Sequence, residues 1–173
     1  GKKISIDSAT MMNKVFEVIE TQRIFGLQIS KIKILIHEKS YVHAIVEFRN
    51  GLKKILVHDT DMRIPIFNTL YNNDINFMRS KNLDLKKLNY LNFKKVDNRR
   101  FPLIKILKNV ANKCSLYETA LISANDELVN LFLKNKIKFN DIQQKLIKFS
   151  NLKEFLLFRK KTPKNINEIN KLN

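Results

Sequence analysis

The chain has 173 residues, 44% of them hydrophobic, and 33 Lys and Arg against 16 Asp and Glu give a formal net charge of +17. That apolar content excludes a disordered chain and suffices for one domain or two small ones, while no apolar run is long enough to span a bilayer. The single cysteine, Cys114, excludes an intrachain disulfide and a thiolate zinc site, and the basic residues are scattered among Asn and Ile, so nucleic acid is not the expected partner.

Taken in order, Ile4-Ser5-Ile6 alternates at the period of a strand. Asp7 or Ser8 then offers an N-cap oxygen, so a helix is expected from Ser8 to Phe25, with Gly26 as its C-cap. A strand over 32–36 follows, and 41–49 alternates again. Asn50-Gly51 is a hairpin turn signal that returns the chain as a partner strand over 52–57. Pro65 suits the first turn of a short helix over 64–72.

Residues 73–101 are polar and irregular and read as a linker, with a turn signal at Asn72-Asn73-Asp74 and a strand pattern over 88–93. From Phe101-Pro102 onward the apolar spacing is helical. One face holds Leu103, Ile106 and Val110, a second holds Leu121, Leu128 and Phe132, and Asn140 caps a third helix carrying Ile142 and Leu146. The tail 162–173, rich in Asn and Lys, reads as disordered.

The expected class is α+β: a small mixed sheet with packed helices over 1–72, a linker over 73–101 and a helical domain over 102–161. His37 and His43 sit at strand ends. With no third ligand at hand, a structural role is favoured over a metal.

On the first helix Thr10, Asn13, Lys14, Glu17 and Glu20 share one arc of the wheel, opposite Met11, Met12, Val15, Phe16, Val18 and Ile19. Two readings fit. One is a solvated face with a Lys14–Glu17 surface pair. The other is a site for a phosphorylated, metal-chelating substrate: Ser8 at a helix start with Asn13 and Lys14 close by suits a phosphate, and a carboxylate one turn on suits a divalent cation.

The string Ile6-Asp7-Ser8-Ala9-Thr10-Met11-Met12-Asn13-Lys14, followed by Glu17-Val18-Ile19-Glu20, closely resembles the signature of the 1-deoxy-D-xylulose 5-phosphate reductoisomerases. These are NADPH- and divalent-metal-dependent enzymes of non-mevalonate isoprenoid biosynthesis, which convert that substrate to 2-C-methyl-D-erythritol 4-phosphate. The similarity continues, eroded, to about Phe149. His37-Glu38-Lys39-Ser40 and His43 stand where the family has His-Pro-Gln-Ser and a second His. Asp61-Met62-Arg63 follows Thr60 instead of Pro, Leu83-Asp84-Leu85 is retained, and Asn125 is kept where Ile122 replaces an Asn. Val15 replaces a usual Gly.

The resemblance implies that Ser8, Asn13 and Lys14 hold the substrate phosphate and that Glu17 is a metal ligand, with Lys14 and Glu17 the residues that serve catalysis. It implies NADPH and a Mn2+, Mg2+ or Co2+ ion as cofactors, a homodimer, and a bacterial cytoplasmic or plastid-type setting, with no targeting segment in this chain. It also implies that this is the later part of a longer polypeptide. The chain opens on Gly1, and neither the family's glycine-rich dinucleotide turn nor its Asp-x-Glu metal pair occurs in it. A non-catalytic remnant that binds a phosphorylated metabolite is the alternative, with a basic nucleic-acid module behind it.

Overall fold

A computed structural model describes residues 1–71, 78 and 80–172. Two helices open the chain, α1 (Lys2–Thr10) and α2 (Met12–Phe25), followed by a 3-10 turn at Ile29–Lys31. Then come β1 (Leu35–His37), β2 (Val42–Glu47), β3 (Lys53–Val57), α3 (Arg63–Leu70), α4 (Leu85–Asn89) and β4 (Phe93–Lys95). The rest is helical: a 3-10 segment at Pro102–Asn109, α5 (Leu116–Leu133), α6 (Phe139–Ser150), α7 (Lys153–Leu157), a 3-10 turn at Phe158–Lys160 and α8 (Ile166–Asn170). The fold class is α+β, as expected. The sheet component is two separate antiparallel pairs, β1 with β4 and β2 with β3.

The chain divides into two compact units, one of residues 1–34 with 96–173 and one of residues 35–95. The first unit owns the apolar core. Ile6, Met12, Val15 and Ile19 from the opening helices meet Leu103, Ile106 and Val110, and Tyr117, Leu121, Leu128, Ile142 and Leu146 from α5 and α6 complete the cluster. On α6 the buried positions Ile142, Leu146 and Ser150 recur every four residues, so one narrow stripe faces inward. The Tyr117 hydroxyl, buried among these groups, donates to the Ser150 carbonyl at 3.3 Å. This division differs from the expected boundaries at 72 and 101, because the apolar face of α2 packs in one core with residues past 100.

Several local expectations are corrected. Residues 4–6 are helical: Ile6 is buried and Ile4 is 66% exposed, while Lys3 and Asp7 pair one turn apart, which a strand does not allow. The strand over 32–36 shrinks to β1, and that over 88–93 gives way to α4 and β4. The segment 73–101 is therefore not wholly a linker, although the turn signal at Asn72-Asn73-Asp74 lies outside the described residues. The third C-terminal helix starts at Phe139, with the Asp141 carboxylate accepting from the Lys138 N–H at 2.8 Å, so Asn140 is not its cap. Part of the tail forms α8, capped by Asn165, whose side chain accepts from the Glu168 N–H at 3.0 Å.

The second unit is built on the hairpin. Gly51 has φ 86, the left-handed conformation its turn requires, and the Phe48 N–H bonds the Leu52 carbonyl at 2.9 Å. Val42 to Glu47 pairs with Val57 to Lys53, with an irregularity between Val42 and Ala44.

Candidate functional site

The break between α1 and α2 organises the residues singled out by the sequence. Met11 stands there with φ 61 and ψ 18, a left-handed conformation that costs a non-glycine residue about 1–2 kcal/mol. Its neighbours hold it. Thr10 and Met12 are both fully buried, so the break falls between two fixed anchors. The Met11 N–H donates to the Ser8 carbonyl at 3.2 Å, and the Met11 carbonyl accepts from Lys14 and Val15 N–H at 3.1 and 3.3 Å. Thr10 Oγ1 accepts from the Met12 N–H at 3.4 Å and donates to the Asp7 carbonyl at 3.3 Å.

Ser8 therefore lies in the last turn of α1 and not at a helix start, which corrects the expected anion site there: its hydroxyl is on the exposed side, but its backbone N–H is inside a helix. The helix that begins at this place is α2, whose first turn carries Asn13 and Lys14. Asn13 Oδ1 accepts from the Lys14 N–H at 2.9 Å. Lys14 Nζ lies 2.6 and 2.7 Å from the two carboxylate oxygens of Glu17, with side chains 39% and 53% exposed. Asn13, Lys14 and Glu17 share one face of α2, as their spacing requires. Both sequence readings survive this geometry, because an exposed i,i+3 pair is also what a solvated face would show.

The residues behind the break were not legible in the sequence. Asp7, 5% exposed, accepts from Asn125 Nδ2 at 2.9 Å and from Lys3 Nζ at 3.0 Å, and Lys3 also lies 3.0 Å from Asp126. Burial by itself lowers the Lys3 pKa, but hydrogen bonds to Asp126 and Asp7 outweigh it and raise the ammonium above its ordinary value. Farther along α2, Arg23 Nη2 meets Glu118 at 2.5 Å and the Ala111 carbonyl at 3.2 Å. The other oxygen of Glu118 accepts from the N–H and hydroxyl of Ser115 at the start of α5. Only the Lys3-Asp7 spacing carried a local signal.

In the second unit His37 Nδ1 lies 3.4 Å from the Asn92 carbonyl and its ring packs on Phe93. His43 Nε2 lies 3.1 Å from the His58 carbonyl, and the two imidazoles stack with centroids 3.5 Å apart. The nitrogens that face carbonyls act as N–H donors there and are not ligands. Among the described residues no three His, Cys, Asp or Glu side chains gather to hold a metal, so Glu17 is at most one ligand of a site completed elsewhere. Dinucleotide pyrophosphate is likewise not provided for: the three glycines, at 1, 26 and 51, cannot make a glycine-rich turn.

The sequence around Asp61-Met62-Arg63 suits either a loop that lines the substrate cavity or a helix entry with Arg63 paired to an acid, and the pairing is what the structure shows. The Arg63 side chain reaches Asp61 through Nε at 3.0 Å and Nη2 at 2.6 Å, and its backbone N–H also donates to Asp61. The Arg63 guanidinium and N–H hold the Asp61 carboxyl down to about 2. A groove of about 620 Å³ in this unit is lined by Tyr41, His58, Asp59, Pro65 and Thr69 among others, so the chain beside Arg63 does border a cavity.

Residues 58–173 match the DXP reductoisomerase C-terminal domain, and residues 1–25 match the 1-deoxy-D-xylulose 5-phosphate reductoisomerase C-terminal domain. The 1-deoxy-D-xylulose 5-phosphate reductoisomerase of Pelagibacter ubique (strain HTCC1062) is 62% identical over 173 residues, all of this chain and 45% of that protein. The same enzyme of Sulfurihydrogenibium sp. (strain YO3AOP1) is 42% identical over 144 residues, 83% of this chain and 38% of that protein. Among solved structures, the reductoisomerase from Zymomonas mobilis in complex with NADPH superposes with a TM-score of 0.80 at 32% identity, over 98% of this chain and 44% of that one. A DOX-P reductoisomerase in complex with NADPH, fosmidomycin and magnesium gives 0.84 at 30%, over 99% and 43%. The chain spans less than half the length of each of these proteins.

Proposed function

This chain belongs to the 1-deoxy-D-xylulose 5-phosphate reductoisomerase family, and from that premise we propose that it is the C-terminal part of an enzyme that converts this phosphorylated sugar to 2-C-methyl-D-erythritol 4-phosphate with NADPH. The observation that carries the reading is the break at Met11. It presents Ser8, Asn13, Lys14 and Glu17 on a rigid, core-anchored turn within the segment that matches the family.

In this reading the Lys14 ammonium supplies the charge for the substrate phosphate, and the Ser8 hydroxyl and Asn13 amide add directed hydrogen bonds. Lys14 must turn from Glu17 to do so, which frees the Glu17 carboxylate to serve as one ligand of a Mn2+, Mg2+ or Co2+ ion. When bound, such an ion polarises the substrate's oxygens and stabilises the charge that develops during rearrangement. NADPH and the remaining metal ligands are held by a portion beyond this chain, and the chain alone does not oxidise NADPH. The assembly we expect is a homodimer in a bacterial cytoplasm or a plastid-type organelle. Among the described residues no helix is long and apolar enough to cross a membrane.

Steady-state kinetics across a metal titration, on the complete enzyme that includes this chain, test the assignment. A phosphate contact remote from the reacting carbons is felt in ground and transition states alike, so Lys14→Ala chiefly raises KM and leaves the metal requirement intact. Glu17→Gln depresses kcat and weakens the metal. Near wild-type values for both variants would return the pair to an ordinary surface contact worth about 0.2–0.5 kcal/mol, and would favour a non-catalytic remnant.

A further inference from the structure

Resting on the reading of Ser8 and Lys14 as phosphate contacts, we propose that Asp7 is a positioning residue for that site, acting through its buried contact with Asn125. Asp7 and Ser8 are neighbours on α1 with different surroundings, Asp7 buried in the unit at 5% exposure and Ser8 on its exposed side. Three bonds converge on Asp7. Its carboxylate takes the Asn125 amide at 2.9 Å and the Lys3 ammonium at 3.0 Å, and its carbonyl takes the Thr10 hydroxyl at 3.3 Å. Thr10 Oγ1 in turn accepts the Met12 N–H, the first of α2. The turn that carries Ser8 and the start of the helix that carries Lys14 thus both close onto Asp7, through its backbone carbonyl on one side and, on the other, through the carboxylate that ties it to α5 across 118 positions of sequence.

The chemistry of the contact argues for placement over stability. Asn125 is fully buried, and its Oδ1 has no hydrogen-bond partner among the described residues. The amide cannot turn over to relieve this, because that would set its oxygen against the Asp7 carboxylate. A buried acceptor left unpaired is costly, and well-packed apolar residues of similar size would serve the core better. What a carboxylate-amide contact supplies instead is direction: it holds this end of α1 at one height and one rotation on α5. Lys3, shared between Asp7 and Asp126 at 3.0 Å each, fixes the same turn from its outer side.

The experiment uses the complete enzyme and measures KM and kcat for the phosphorylated substrate, the dissociation constant of inorganic phosphate by 31P NMR, and thermal melting. Asp7→Asn is expected to raise KM and the phosphate dissociation constant by about tenfold, with kcat falling by less, since misplacing a binding group by a fraction of an ångström is felt in affinity and alignment. The exchanged double variant, Asp7→Asn with Asn125→Asp, keeps one carboxylate facing one amide and should return KM to within about threefold of the parent. Leu146→Ala, a core truncation on α6, should lower the melting temperature and leave KM unchanged. The positioning role is overturned if Asp7→Asn only lowers the melting temperature, or if it and Leu146→Ala change KM alike. Lys14→Ala separates the two levels: if it raises KM while Asp7→Asn does not, this inference fails and the phosphate site stands, and if neither changes KM both fail.

Discussion

Removing the Glu118 side chain tests whether α2 is fastened to α5 by charge or only by apolar packing. One oxygen of Glu118 lies 2.5 Å from Arg23, and the other accepts the Ser115 N–H at 3.1 Å and hydroxyl at 2.7 Å. In Glu118→Ala the Arg23 guanidinium, whose side chain is 22% exposed, keeps among the described residues only the Ala111 carbonyl, and the N–H of Ser115, a residue 4% exposed, loses its acceptor. Breaking a fully buried ion pair from one side costs about 3–5 kcal/mol. The water that still reaches Arg23 lowers this to about 2–4 kcal/mol, lost cap bond included. Arg23→Met leaves Glu118 with both Ser115 donors and should cost about half as much, roughly 1–2 kcal/mol. A cooperative unit of about 110 residues shifts by about 4 °C per kcal/mol, so circular-dichroism melting should fall by about 8–16 °C for Glu118→Ala and about 4–8 °C for Arg23→Met. Melting of the double variant closes the cycle. If Arg23→Met is as costly as Glu118→Ala, or the coupling is within about 0.5 kcal/mol of zero, the fastening is apolar and the charge argument is wrong.

Two further outcomes follow from local geometry. Asp61 should titrate with a midpoint of about 2 by NMR, and Arg63→Gln should return it toward the ordinary aspartate range, because the Arg63 side chain is the largest cause of the shift. Since the folded value is depressed, the pair's stabilisation is present above the ordinary aspartate range and is lost as pH falls toward about 2. Asn135 ends α5 in a left-handed conformation, φ 56, with its N–H on the Phe132 carbonyl and the Lys136 N–H on that of Leu131. Asn135→Gly should leave urea stability unchanged or slightly higher, whereas Asn135→Val should cost about 1–2 kcal/mol, because a β-branched side chain is crowded at positive φ.

What the sequence by itself determined is what short-range physics controls. Asn50-Gly51 announced the β2–β3 hairpin because a tight turn needs positive φ, and Gly51 adopts it; Gly26, with φ 63, likewise stops α2 where expected. The apolar spacing of 121–132 and 142–147 marked α5 and α6, since a 3.6-residue period leaves its mark in any window of a few turns. The string from Ile6 to Lys14 pointed to the polar face, and the i,i+3 spacing of Lys14 and Glu17 already implied their contact, whereas the break at Met11 falls inside the single helix expected from Ser8 to Phe25. Tertiary structure decided the rest. Ile4-Ser5-Ile6 carries an alternation that a strand and a helix satisfy equally, and burial of Ile6 in a core completed by α5 selected the helix. β1 shows in the sequence as a strand over 32–36, but its bounds and its partner do not: β4 pairs Leu35 with Lys95 across the whole second unit. Asp7 meets Asn125 across 118 positions and Arg23 meets Glu118 across 95, so neither residue shows its role to its sequence neighbours. The reason is energetic: a buried carboxylate, or a methionine at φ 61, is unfavourable on local terms. It persists only because partners brought by the fold of the distant chain supply the hydrogen bonds and packing that its own segment lacks.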